Sequence, residues 1–161
     1  ELRVGDKRVV LIEVGPAHTR GDAIVHVPDD RVVYTGDILF AKAHPVVWEG
    51  PVDNWIAACD RIAAMDVDVV VPGHGPLSER EDVALVGRYL RHLRDECRPR
   101  YEAGMSPLDA ALDIDLSDYA DWAEPERAVV NVATIFAGLR GDPTRDAVAM
   151  FALMARYRAR R

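Results

Sequence analysis

Three side chains that suit a metal ion each follow a strand-like apolar run and lie beside a glycine. They are His18 in Gly-Pro-Ala-His-Thr-Arg-Gly-Asp, Asp37 in Tyr-Thr-Gly-Asp, and His74 in Val-Pro-Gly-His-Gly. Imidazole nitrogen and carboxylate oxygen are ligands that Zn²⁺ accepts, and one Asp can bridge two ions through its two oxygens. Since turns at the carboxyl ends of strands can meet at one edge of a sheet, the pattern predicts a metal site formed by these three residues.

Each of the three residues also has a simpler interpretation when it is taken alone, as a turn-stabilising Asp or a surface His. The repeated order of strand, glycine and ligand favours the metal site. We expect the neighbouring glycines to let the backbone turn sharply and aim each side chain off its strand. The sequence does not single out a catalytic residue among the three.

Side chains near these turns have less certain roles in the sequence. Asp22 either orients a ligand imidazole or stabilises the turn that follows His18. Phe40, His44 and Trp48 are expected to line a substrate pocket, although Trp48 could instead pack on the next helix.

The elements that position the three residues are predicted to be five strands and one helix, which lies between the fourth and fifth strands. We expect strands over residues 2–4, 8–14, 23–27, 31–34 and 67–71, with Gly36-Asp37 ending the fourth and an irregular loop over 38–51. The unbroken apolar run 9–12 is typical of a strand buried on both faces. Asp53 is expected to cap a helix over the following residues, and a helix between two strands predicts a parallel crossover.

The rest of the chain is predicted to be helical. Ser78 and Glu81 form a candidate capping box for a helix that reaches about Cys97. Ser106-Pro107 starts a short helix over 108–112, Pro125 starts one that ends at Gly141, and Asp142-Pro143 starts the last. The fold class is therefore α/β, with a mixed β-sheet and crossover helix in residues 1–77 and a helical carboxyl-terminal extension in residues 78–161 that packs on it.

Composition limits the classes of protein to consider. The chain has 161 residues, of which 49% are hydrophobic and 29% charged, which is typical of a globular domain. No apolar run approaches the roughly 20 residues that span a bilayer, and no leader-like segment opens the sequence, so we expect a cytoplasmic protein without a membrane partner. A net charge of −7 argues against nucleic acid as a partner. Cys59 and Cys97 are expected to be free, buried thiols.

At His18, Asp37 and His74 the sequence resembles the metallo-β-lactamase fold superfamily, whose members include glyoxalase II-like thioesterases, lactonases and β-lactamases. The resemblance implies that His18 completes a first metal site, that Asp37 bridges, and that His74 serves a second site, with one or two Zn²⁺ ions as cofactor. It covers only the second half of the family's αββα sandwich. The family's His-x-His-x-Asp-His phrase, which supplies the remaining ligands, does not occur in this sequence.

The resemblance implies hydrolysis of an ester, thioester, lactone or amide in a small-molecule substrate by a metal-bound hydroxide. Without the remaining ligands, we expect this chain to be a fragment that is inactive or weakly active alone. Its apolar sheet face would then be covered by an amino-terminal half, by a second copy in a homodimer, or by its own helices. The alternative is a non-catalytic half-domain or remnant that acts as a dimerisation or binding module. The substrate and the identity of the metal stay open.

Overall fold

A mixed five-stranded sheet forms the first half of the protein in a computed structural model that describes residues 1–142 and 146–161. The strands lie in chain order: β1 (Leu2–Val4), β2 (Lys7–Glu13), β3 (Ala23–Val27), β4 (Val32–Phe40) and β5 (Val69–His74). Neighbours are antiparallel except β4 and β5, which are parallel. The helix α1 (Val52–Ala63) joins this parallel pair, so the predicted α/β class with a crossover helix is confirmed.

Four further α-helices follow the sheet within the described residues. They are α2 (Arg80–Glu102), α3 (Pro107–Asp113), α4 (Arg127–Arg140) and α5 (Ala147–Arg160). Ser106 caps α3 by accepting a hydrogen bond from the Asp109 amide, and Gly141 ends α4 in the left-handed conformation at φ 72°. Asp146 caps α5, whereas Pro143, part of the predicted start of that helix, lies outside the described residues.

The predicted end of the fourth strand at Gly36-Asp37 is wrong. β4 continues to Phe40, so three residues of the predicted 38–51 loop are strand. Gly36 adopts φ 51°, which only glycine takes without strain, and the pairing with β5 shifts register on both sides of it before Phe40 pairs with His74. Asp37 therefore lies at an irregularity inside a strand and not in a turn after it.

Two predicted helix starts are displaced. Pro51 occupies the cap position of α1, and Asp53 lies in the first turn, where it accepts a hydrogen bond from Arg94 at 2.8 Å. The capping box of α2 is formed by Glu79 and Asp82 instead of Ser78 and Glu81. Ser78 is one residue too early because its backbone pairs with Val70 in both directions at 2.9 Å, which extends the sheet. α2 also continues beyond Cys97 to Glu102.

The two faces of the sheet differ in what covers them. On one face Ile24, Val33 and Val70 are fully buried, and α1 and α2 pack against this side of β4. Cross-strand pairing places Leu11, Val25, Tyr34 and Val71 together on the opposite face. There Leu11 and Tyr34 remain 54% and 48% exposed.

The exposed sheet face, defined here by Leu2, Val4, Leu11, Val25 and Tyr34, contradicts one expectation and argues against one of the three alternatives for its cover. The run 9–12 is not buried on both faces, because Leu11 is exposed and the other three residues are only half-buried. The chain's own helices do not cover this face within the part of the chain that the structure describes. The predicted domain boundary between residues 77 and 78 stays a prediction.

Both cysteines are free and buried, as predicted. Burial raises the pKa of the Cys59 and Cys97 thiols to about 12, which suppresses the reactive thiolate at neutral pH.

We expect neither thiol to react with Ellman's reagent at pH 8 in the native protein and both to react in denaturant. Rapid native reaction of either thiol would show that its part of the core opens.

None of the helices in the described residues is both long and apolar enough to cross a membrane.

Candidate metal centre

The three predicted ligands come together although they lie on different elements. His18 belongs to the loop between β2 and β3, Asp37 to the irregular part of β4, and His74 to the last position of β5. His18 Nε2 lies 3.5 Å from Asp37 Oδ2, and His74 Nε2 lies 3.2 Å from Asp37 Oδ1. Each imidazole therefore faces a different oxygen of one carboxylate. Their role as metal ligands stays a prediction.

The environment of His18 sets the direction of its ring. The side chain lies against Phe40 and Trp55, with ring centroids 5.5 and 5.8 Å away, and its Nδ1 lies 2.8 Å from the Val46 carbonyl oxygen. A carbonyl can only accept a hydrogen bond, so Nδ1 must carry the hydrogen. In the neutral imidazole, Nε2 then holds the lone pair.

This assignment makes Nε2 of neutral His18 and Oδ2 of Asp37 two acceptors that face each other across 3.5 Å. Two lone pairs in this position repel each other unless a proton or a cation lies between them. The donor set therefore fits a metal ion on chemical grounds.

His74 is the more accessible of the two histidines. Its ring stacks on Phe40 at 4.5 Å with an interplanar angle of 12°, while its side chain is 57% exposed. Asp37 is also partly exposed. The carboxylate and this imidazole therefore face solvent, whereas His18 lies against the protein interior.

The two N···O separations, 3.2 and 3.5 Å, also suit zinc. Two ligand atoms that lie about 2.0–2.1 Å from one tetrahedral Zn²⁺ are separated by roughly 3.3 Å. Among the described residues, however, no three or more His, Cys, Asp or Glu side chains form a group that could hold a metal ion. The two imidazoles lie beside different oxygens of Asp37, so the three side chains form two His–Asp pairs. The residue types fit zinc, but the ligand number falls short.

Gly73 allows the close approach between β5 and the carboxylate. A Cβ atom at this position would lie 2.5 Å from Asp37 Oδ1 and 2.6 Å from the Gly36 carbonyl carbon. The predicted role of the glycines in turning the backbone therefore applies to Gly36 and Gly75, which both have a positive φ, whereas Gly73 provides space.

Asp22 stabilises the turn that carries His18. Its carboxylate accepts hydrogen bonds from the backbone amide and the hydroxyl of Thr19, each at 2.8 Å. Of the two roles that the sequence left open, the structure shows the turn-forming one.

A cleft of about 500 Å³ adjoins the two histidines. Phe40 and Trp48 line it as predicted, and Phe151 of α5 packs on Trp48 with ring centroids 5.9 Å apart. The predicted role of His44 in a pocket is wrong. Its side chain turns into the core, where it is only 1% exposed and its Nδ1 lies 3.0 Å from the Tyr89 hydroxyl oxygen.

Sequence reasoning missed the polar wall of this cleft, which α5 and the start of α4 supply. Arg158 pairs with Glu126, and Arg127 pairs with Glu124 at 2.6 Å and lies over the Phe40 ring. Burial acts to raise the pKa of Glu126, but the hydrogen bond from Arg158, a backbone hydrogen bond and the charges of Arg158 and Arg127 together outweigh it, so the pKa lies below its ordinary value. These residues are more than 40 positions from His74, so no local spacing linked them to the three ligands.

A larger cavity of about 1000 Å³ lies between the start of α1, the middle of α2 and the end of α4. None of the three predicted ligands lines it, and Arg94 in its wall is paired with Asp53 and Asp95. We therefore assign function to the smaller cleft beside the histidines.

Comparison with known proteins finds a family match in the first part of the chain. The family described as the metallo-beta-lactamase superfamily matches residues 1–74, a range that contains all three predicted ligands. A hydroxyacylglutathione hydrolase from Maricaulis maris is 26% identical over 144 residues, which cover 89% of this chain and 43% of that enzyme. The matches span between 20% and 43% of the length of the curated relatives.

Two solved structures share the fold over most of the chain. A metallo-beta-lactamase family protein from Thermus thermophilus superposes with a TM-score of 0.63 at 19% identity, covering 87% of this chain and 47% of the other. A sec-alkylsulfatase from a Pseudomonas species gives a TM-score of 0.66 at 14% identity, covering 91% and 26%. Since both alignments include most of the chain, the helices after β5 belong to the shared architecture as well as the sheet.

Proposed function

Because the chain belongs to the metallo-beta-lactamase superfamily through residues 1–74, we propose that it forms part of a metal-dependent hydrolase in which His18, Asp37 and His74 bind zinc. The observation that carries the proposal is the position of the Asp37 carboxylate. Its two oxygens face two different imidazoles at 3.5 and 3.2 Å, which is the arrangement expected of a bridging ligand.

The residues of this chain have separate tasks in the proposed reaction. His18, held by the Val46 carbonyl, presents the lone pair of Nε2. Asp37 presents one carboxylate oxygen beside His18 and the other beside His74. Bound zinc would supply Lewis acidity and lower the pKa of a coordinated water to about 7. The aromatic side chains of Trp48 and Phe151 would hold the apolar part of a small ester, thioester, lactone or amide and exclude water from it.

The proposed site needs ligands beyond this set. Zinc takes four ligands, and a catalytic zinc keeps about three from protein, whereas each oxygen of Asp37 has one imidazole beside it. We propose that an amino-terminal half or a second copy of the chain supplies the others. The exposed sheet face is the surface such a partner would cover, since the apolar side chains of Leu11 and Tyr34 remain about half exposed there.

Zinc titration of the purified 161-residue chain tests this proposal. We expect weak binding of zinc by the native chain and at least about tenfold weaker binding by Asp37→Asn, as removal of a ligand demands. Asp121→Asn is the matched control, because Asp121 is exposed and does not line the cleft beside His18 and His74. Equilibrium dialysis with metal analysis gives the affinity.

Hydrolysis of a hydroxyacylglutathione thioester and of a p-nitrophenyl ester is measured on the same samples. We expect little turnover by the chain alone. We expect zinc-dependent turnover once an amino-terminal half or a second copy of the chain supplies the other ligands. No zinc binding at saturating metal, or equal binding by native protein and Asp37→Asn, would overturn the assignment of the ligands.

A second candidate is a non-catalytic dimerisation or binding module. Two observations favour it: the apolar residues of the exposed sheet face, and the lack of a three-ligand group among the described residues. Sedimentation equilibrium separates the candidates. A stable dimer that binds no zinc and hydrolyses neither substrate supports a non-catalytic module. Zinc-dependent turnover by any assembly of the chain excludes it.

A further inference from the structure

The carbonyl that orients His18 lies in a segment without regular secondary structure, residues 44–48. This segment lies along α4, more than 80 positions later in the chain. The Asn131 carboxamide oxygen accepts from the Val47 amide at 2.8 Å, and its NH₂ group donates to the Pro45 carbonyl at 2.8 Å. The Thr134 hydroxyl donates to the Val47 carbonyl at 2.7 Å. The backbone on both sides of Val46 is therefore bonded to one helix.

These hydrogen bonds are shielded from water. Asn131 is fully buried and Thr134 is 3% exposed, in the middle of an otherwise apolar helix surface. Buried backbone groups need partners, and an irregular segment cannot supply its own. Asn131 and Thr134 provide these partners on a helix whose position the core fixes. The segment that presents the Val46 carbonyl is thus held against α4.

A second link connects this region to the loop of His18. The Gly50 amide donates to the Ala17 carbonyl at 3.0 Å, directly before the histidine. The loop and the segment after β4 are therefore joined on both sides of the imidazole, by this bond and by the bond from Nδ1. A shift of the segment relative to α4 would therefore change the orientation of the His18 ring as well as the position of the loop backbone that carries it.

We propose that Asn131 and Thr134 are positioning residues of the metal centre, which hold the Val46 carbonyl so that His18 keeps its hydrogen on Nδ1 and its lone pair on Nε2. The helical extension in this way controls a ligand located in the sheet half of the protein. The metal part of this inference rests on the proposed function, whereas the tautomer part depends on the protein alone.

The hydrogen bond from Nδ1 is sensitive to small movements. At 2.8 Å it is close to ideal length, and a displacement of about 1 Å takes it beyond hydrogen-bonding distance. Without that acceptor, nothing at the Nδ1 side selects one tautomer. A fraction of His18 would then carry its hydrogen on Nε2, where it blocks the atom that faces Asp37. Partners of this kind change metal affinity by about 10–100-fold.

The test uses variants of the two residues in the full 161-residue chain. Thr134→Val removes the hydroxyl while keeping the shape of the side chain, and Asn131→Asp removes the donor to the Pro45 carbonyl. Thr134→Ser restores the hydroxyl and is the conservative rescue. Ile135→Val, at a buried neighbour on α4, removes one methyl group from the core without a change in these hydrogen bonds and is the matched control.

Two readouts decide the inference. The tautomer of His18 is read from ¹⁵N–¹H multiple-bond correlation spectra of the metal-free, neutral imidazole, and zinc affinity is read by competition with a chromophoric chelator. We expect Nδ1–H in the native protein, in Thr134→Ser and in Ile135→Val. In Thr134→Val and Asn131→Asp we expect a mixture of tautomers and at least about tenfold weaker zinc binding.

The outcomes separate this inference from the proposed function. An altered tautomer in Thr134→Val with no zinc binding by any variant supports the positioning role and refutes the metal assignment. Native tautomer in a folded Thr134→Val overturns the positioning role, whatever the zinc affinity of the native protein is. Because Thr134→Val keeps the volume of the side chain, it decides the matter even if Asn131→Asp does not fold.

Discussion

Replacement of Gly73 by alanine is expected to weaken zinc binding by at least about tenfold and to destabilise the metal-free protein by about 1–3 kcal/mol. The added Cβ would lie 2.5 Å from Asp37 Oδ1 and 2.6 Å from the backbone carbonyl carbon of Gly36. The carboxylate can rotate away, but the backbone of β4 can move only by separating from β5. Either response moves the oxygens of Asp37 away from the two imidazoles.

The matched control is Gly21→Ala, in the loop that carries His18. A Cβ atom at Gly21 meets nothing within 4 Å, and the backbone there does not have a positive φ. Zinc affinity and the free energy of unfolding in urea are measured for both variants. We expect Gly21→Ala to bind zinc like the native protein. If Gly73→Ala also binds zinc like the native protein, the close packing of β5 on Asp37 is not needed for the site.

The proximity of His18, Asp37 and His74 could be predicted because their signal is local. Each follows an apolar run and lies beside a glycine, and strand order alone brings the ends of β4 and β5 together. The irregularity at Gly36 could not be predicted in the same way. The apolar run Ile38-Leu39-Phe40 after Asp37 has the composition of a strand, but only pairing with β5 shows that the strand continues past Asp37.

The contribution of the helical extension lay outside what the sequence could indicate. Asn131 contacts a segment 84 positions earlier, and its place in an apolar helix gave no sign of a partner. Arg158 and Glu126 likewise meet only because α4 and α5 pack together. Long-range polar contacts of this kind depend on the packing of whole elements, which periodicity does not encode.

The wrong prediction for residues 9–12 is informative about the fold. A continuous apolar run is what a strand between a helix layer and a second sheet requires. In this chain the second sheet is not among the described residues, so Leu11 is 54% exposed while Ile12 faces the core. The sequence of β2 therefore fits a strand inside a sandwich better than the environment that it has here.

Acidification is expected to destabilise the protein through His44 by up to about 3 kcal/mol. Burial first, and then the positive charge of Arg161, lower the pKa of His44 to about 4, against an ordinary value of 6.5. Between these values the unfolded chain binds a proton at this residue and the folded chain does not, so the stability decreases as the pH falls from about 6.5 towards 4. Each pKa unit corresponds to about 1.4 kcal/mol, which gives the total.

His44→Gln removes this proton while leaving a side chain that can bond to the Tyr89 hydroxyl. Urea unfolding in the presence of a chelator, at pH values from about 7.5 to 4.5, compares the variant with the native protein. We expect the native protein to lose about 2–3 kcal/mol more than His44→Gln over this range. His92→Gln, at a histidine whose ring hydrogen-bonds to the Asp115 carbonyl near the surface, is measured alongside as a second histidine replacement. The lowered pKa of His26 acts equally in all three proteins. Equal slopes for the native protein and His44→Gln would mean that His44 is protonated within the folded core, and that the aromatic cluster around Tyr89 opens to admit the charge.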